Sequence, residues 1–113
     1  MHGGLFYSFL RRGYEVKKEE FVFTIGYQGA TALVDGQSLK KYRRLSALEL
    51  AEEGLFRAAF CSALYDSDAA AMNRIREMYN EKSGSEYTTS EDLKRLFGVF
   101  EVPENIEKIK LLS

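Results

Sequence analysis

The chain has one cysteine, one histidine, one proline and no tryptophan in 113 residues, and each scarcity excludes something. A lone thiol, Cys61, cannot close an internal disulfide, so nothing argues for an oxidising environment. With one cysteine and one histidine, no zinc set can be assembled within the chain. The histidine, His2, stands where no neighbouring element is expected to orient it, and a general base needs fixed geometry as well as a suitable pKa. An excess of charge is also missing. The 16 basic and 17 acidic residues leave a net charge of −1, which gives no bulk attraction to nucleic acid or anionic lipid. No apolar run approaches the roughly 18 residues of a membrane span. Residues 5–10 are apolar, but no basic stretch precedes them and no small-residue cleavage pattern follows. The expectation is a cytoplasmic protein without membrane association.

What remains is ordinary for a folded domain, 45% apolar and 29% charged. The length suits a single domain over residues 1–113. The expected class is α+β. An antiparallel β-hairpin or small sheet at about residues 14–35 packs against four or so helices at about 38–66, 67–82, 89–97 and 103–112.

The hairpin rests on a period of two. Phe21, Phe23, Ile25 and Tyr27 alternate with Val22, Thr24 and Gly26, giving one strongly apolar face. Gln28-Gly29 offers a turn, Ala30, Ala32 and Val34 continue on the return strand, and Asp35-Gly36 ends it. Residues 5–10 fit a strand and a short helix about equally well.

From Gln37 the period lengthens, with Leu39, Tyr42 and Leu45 three apart. Ser46 and Glu49 have the spacing of a capping box. Gly54 interrupts or closes that helix, and Phe56, Phe60 and Leu64 lead the main helical share of the core. Asp66-Ser67-Asp68 carries stop and cap chemistry before a helix in which Met72, Ile75 and Tyr79 share a face. Ser83-Gly84-Ser85 reads as a loop. Thr89 then caps a helix bearing Leu93, Leu96 and Phe97, which Gly98 stops. Pro103 suits the first turn of a last helix, with Ile106, Ile109 and Leu112 facing inward.

No catalytic, cofactor-binding or metal-binding set converges. Cys61 lies in an apolar helical run, where burial raises a thiol's pKa and leaves it inert. Asp66 and Asp68 lack the spacing of a calcium loop and read as caps. Gly26 and Gly29 begin no helix and have no phosphate-loop lysine beside them. No cofactor is expected.

Two patches carry functional content. Lys40, Lys41, Tyr42, Arg43 and Arg44 form a candidate polyanion site, the cations contacting phosphates and the tyrosine stacking on a base. The same residues also suit a helix with Tyr42 on the buried edge and its cations in water. The second patch is a candidate interface made by Phe21, Val22, Phe23, Thr24, Ile25 and Tyr27. An apolar strand edge invites pairing with another chain unless a third strand, sought here in residues 5–17, covers it. On a free face, Val22→Glu is expected to dissociate an assembly.

The leading expectation is a non-catalytic protein-interaction or accessory, regulatory domain that binds a protein partner or itself as a homodimer. A nucleic-acid-binding accessory protein using residues 40–44 is the alternative. A small enzyme with its site at a subunit interface is the third.

Overall fold

The structure, a computed structural model, describes residues 6–10 by their backbone and residues 16–113 in full. His2, Arg11, Arg12 and Tyr14 therefore lie outside the fully described residues. In chain order the elements are β1 (Phe6–Leu10), α1 (Lys18–Val22), β2 (Thr24–Gln28), β3 (Thr31–Asp35), α2 (Gly36–Tyr42), α3 (Ala47–Glu52), α4 (Phe56–Tyr65), α5 (Ala69–Ser83), α6 (Ser90–Phe97) and β4 (Lys108–Leu112). The fold is α+β. Its described residues divide into two compact units: a sheet unit, which runs up to Arg44 and includes Val102–Ser113, and a helical unit, Leu45–Glu101.

The sheet has four strands in the order β1-β4-β3-β2. The hairpin of β2 and β3 turns at Gly29-Ala30, with Gln28 opposite Thr31. Gly29 has φ +59, the positive value that a type II′ hairpin turn needs at its first position. β3 pairs in parallel with β4, from Thr31↔Lys108 to Asp35↔Leu112. β4 in turn pairs antiparallel with β1, from Phe6↔Leu112 to Leu10↔Lys108. Residues 6–10 thus supply a strand, but the hairpin's own third strand is C-terminal and joins at β3.

That placement corrects the helix expected at 103–112. Lys108-Ile109-Lys110-Leu111 alternates polar with apolar residues, and Ile109 is buried while Lys108 is exposed. The backbone N–H groups of Glu107 and Lys108 both donate to the Ala30 carbonyl, at 2.8 and 3.2 Å. They seat the strand against the open side of β3. A vacant ladder position outweighs the weak three-residue spacing of Ile106, Ile109 and Leu112, because strand preference is set mainly by what the residues pack against.

A second correction concerns the start of the hairpin. Phe21 and Val22 are in α1, and Phe21, Val22, Phe23 and Thr24 are all buried in succession. A half-buried strand alternates its side chains between faces and cannot bury four in a row. The helix is favoured by Glu20, whose Oε1 accepts from the Lys17 N–H at 2.8 Å. It ends where the Thr24 hydroxyl donates to the Glu20 carbonyl at 2.6 Å.

The third difference is a β-bulge. Thr24 pairs with Val34 and Gly26 with Leu33, which leaves Ile25 as the extra residue. Beyond the bulge the parity is reversed. Thr24 and Tyr27, three residues apart, stand opposite Val34 and Ala32 and share their face. A polar threonine therefore occupies the buried position that the alternation assigned to isoleucine.

α2 follows β3 without a linker. Asp35 caps it: Oδ1 accepts from the Ser38 N–H at 3.1 Å and Oδ2 from the Ser38 hydroxyl at 2.9 Å. A Cβ on Gly36 would lie 2.7 Å from the Leu112 carbonyl oxygen. The start of α2 is therefore pressed against β4.

In the helical unit the local signals hold. Ser46 and Glu49 exchange the two bonds of a capping box, at 2.8 and 3.2 Å. α4 brings Ala59, Phe60, Cys61 and Ala63 into the core. It closes with the Ser67 N–H donating to the Leu64 carbonyl at 3.0 Å and the Asp68 N–H to the Ala63 carbonyl at 2.9 Å, the pattern of a Schellman motif. Asp68 Oδ1 then accepts from the Ala71 N–H at 3.0 Å and starts α5. Tyr79 on α5 meets Phe56 and Phe97 edge-on, with ring centroids 5.2 and 5.9 Å away. Asn80 pins the loop after α5, exchanging bonds of 2.9 and 3.1 Å with the Tyr87 backbone.

Candidate interaction edge and basic helix end

β2 is an outermost strand of the sheet, and no strand pairs with its outer side among the described residues. The six residues of the candidate interface separate here. Phe21, Val22, Phe23 and Thr24 are buried, whereas Ile25 and Tyr27 are 60% and 45% exposed. Because Val22 is buried in α1, Val22→Glu would bury a charge and unfold the unit instead of testing an interface. Ile25 is pushed outward as the extra residue of the bulge. Tyr27 extends the face of Ala32 and Val34 to the rim of the sheet.

The basic cluster sits at the C-terminal end of α2. Lys40 and Lys41 occupy its last turn, where cations complement the negative end of the helix dipole. Lys40, Lys41, Arg43 and Arg44 are exposed and Tyr42 is half-buried. Lys41 Nζ lies 5.2 Å from the centroid of the Tyr42 ring, so that ring already carries a cation. Arg43 Nη1 is 3.6 Å from Glu19 Oε2 on α1. An exposed pair of this kind is worth at most about 1 kcal/mol, but it places an acid beside the cluster.

The helical unit contains a groove of about 480 Å³ between α3, α4 and α5. Phe56 and Met78 contribute its apolar lining, and Glu52, Arg74, Glu81 and Lys82 its charges. Both signs are present, and Arg74 is already 3.3 Å from Glu77. Among the described residues no histidine or cysteine lines it. Its residues come from three helices, so nothing local in the sequence announces it.

Comparison with protein-family models, curated proteins and solved structures found no match.

The one free thiol, Cys61, is buried, and burial pushes its pKa from 9.0 up to about 11, against a smaller opposing pull from Arg57. It stays protonated near neutrality and is no nucleophile there. Among the described residues no group of three or more histidines, cysteines, aspartates or glutamates is placed to hold a metal ion. No helix among them is long and apolar enough to cross a membrane.

Proposed function

We propose that this chain is a non-catalytic protein-interaction domain that engages its partner along the outer edge of β2. The observation that carries the reading is the exposure of Ile25 and Tyr27, two large apolar side chains on an outermost strand. Large apolar side chains exposed at a sheet edge offer a partner contact area that water otherwise covers. Fully burying a side chain of this size contributes about 1.5–3 kcal/mol, enough for the two together to dominate a small contact. The short, bulged strand works against open-ended stacking, which suits a discrete complex.

The test is proximity cross-linking in cells with the wild type and an Ile25→Glu/Tyr27→Glu double variant, each checked by circular dichroism. The expected result is a cross-linked protein recovered with the wild type and lost with the folded variant. Identical recovery with both would remove β2 as the interface.

A further inference from the structure

Independently of the β2 edge, we propose that β4 is the clasp of the sheet unit, which opens as a whole by releasing it while the helical unit stays folded. The chain crosses between the units twice, and hydrogen bonding stops at each crossing. At the first, the Arg43 N–H donates to the Leu39 carbonyl at 3.0 Å, and the next bond runs from the Ser46 N–H to Glu49 Oε1 at 2.8 Å. At the second, the Val99 N–H donates to the Lys94 carbonyl at 3.0 Å and the Glu107 N–H to the Ala30 carbonyl at 2.8 Å. Residues 100–106 in between make no hydrogen bond among the described residues. Boundaries of this kind separate segments that open cooperatively on their own.

The helical unit is continuous over Leu45–Glu101, close to the length of about 55–65 residues at which domains fold alone. Leu50, Phe60, Ile75 and Leu93 give it a buried core, and the rings of Phe56, Tyr79 and Phe97 fasten α4, α5 and α6 together. The sheet unit lacks that continuity. In the order β1-β4-β3-β2, β4 is the strand that joins β1 to the hairpin. Its fully buried Ile109 stands opposite Ala32 of β3 and Phe9 of β1. Loss of β4 detaches β1 and uncovers β3 together. Seating β4 also closes the span of residues 36–107. Most of that span is already fixed when the helices are folded, and it is a costly flexible loop when they are not. The helical unit thus favours the clasp and does not depend on it.

The test is native-state hydrogen exchange of the full chain, read by mass spectrometry of peptic fragments, for the wild type and Ile109→Ala. In the wild type, the paired amides of β2, β3 and β4 are expected to share one level of protection, below that of α4 and α5. Removing a fully buried isoleucine side chain is enough to change an opening equilibrium by at least about tenfold. Ile109→Ala is expected to speed exchange by that factor in all three strands alike and to leave α4 and α5 unchanged. A variant with an unprotected sheet unit and a protected helical unit gives the same answer. Wild-type protection no greater in α4 and α5 than in the strands overturns the proposal. So does equal acceleration in both units, which marks a single cooperative fold. Acceleration confined to β4, or none anywhere, removes β4 as the clasp.

Discussion

Replacing Gly36 with alanine is expected to destabilise the sheet unit, although the same change stabilises many proteins. The added Cβ would lie 2.7 Å from the Leu112 carbonyl oxygen, 3.5 Å from that carbonyl carbon and 4.0 Å from Leu111 Cβ. A comfortable carbon–oxygen contact is about 3.3–3.6 Å, so α2 and β4 must separate by several tenths of an ångström. The obstacle is backbone, and β4 is held between β3 and β1, so it cannot rotate away as a flexible side chain would. Overpacking of this kind costs about 1–3 kcal/mol. Against it, alanine restricts the unfolded chain and returns about 0.4–1 kcal/mol. The net expectation is a loss of about 1–2 kcal/mol, or a melting temperature lower by roughly 5–15 °C for a chain of this size. Gly26→Ala is the matched control, since nothing lies within 4 Å of its Cβ, and it should be neutral or stabilising. Thermal denaturation by circular dichroism, with hydrogen exchange at the Leu111 and Leu112 amides, reads both. A Gly36→Ala protein that melts at or above the wild type would refute the close approach of α2 to β4.

Ser67 holds φ at 53 at the end of α4, a position where serine is strained and glycine is not, so Ser67→Gly is expected to stabilise by about 0.5–1 kcal/mol. Denaturant midpoints check this, and a lower midpoint for the variant would contradict it. Cys61 should resist a thiol reagent at pH 8 until the protein is unfolded, and rapid labelling of the native chain would show that the thiol is not buried. Its folded pKa lies above the unfolded one, so the linked stability is complete below about pH 9 and is lost as pH rises through about 11. The slope in that window is at most about 1.4 kcal/mol per pH unit, and Cys61→Ala should lack it. The cluster at residues 40–44 is expected to leave a single-stranded oligonucleotide unbound even at low salt. Salt-dependent binding that disappears when Lys40, Lys41, Arg43 and Arg44 become alanine would replace the interaction reading with polyanion binding.

The features legible in the sequence are those built from neighbours along the chain. The capping box at Ser46, the stop and restart at residues 66–68, and Gly98 at the end of α6 each involve residues within a few positions of one another. The hairpin was legible for the same reason, and its turn lies one residue further along than Gln28-Gly29. What escaped depends on distant partners. The parallel seat of β4 beside β3 exists only once both are in place, and a segment such as residues 103–112 satisfies two periodicities until that seat chooses between them. The bulge at Ile25 is a matter of pairing with β3, and one extra residue exchanged the roles of Thr24 and Ile25. At the candidate interface, the alternation assigned Phe21 and Val22 to a strand they do not enter, because both belong to α1. At the basic cluster, the sequence named the cations without the Glu19 carboxylate that faces Arg43.

The sheet unit is discontinuous in the chain, since β4 follows the entire helical unit while β3 precedes it. During synthesis α3 to α6 leave the ribosome before the strand that β3 needs, so the helical unit has all of its residues first. Until β4 emerges, β3 has β2 on one side and an unpaired edge on the other. The newly made hairpin is then open to pairing along β3, at the stage when neighbouring chains on the same message are nearest.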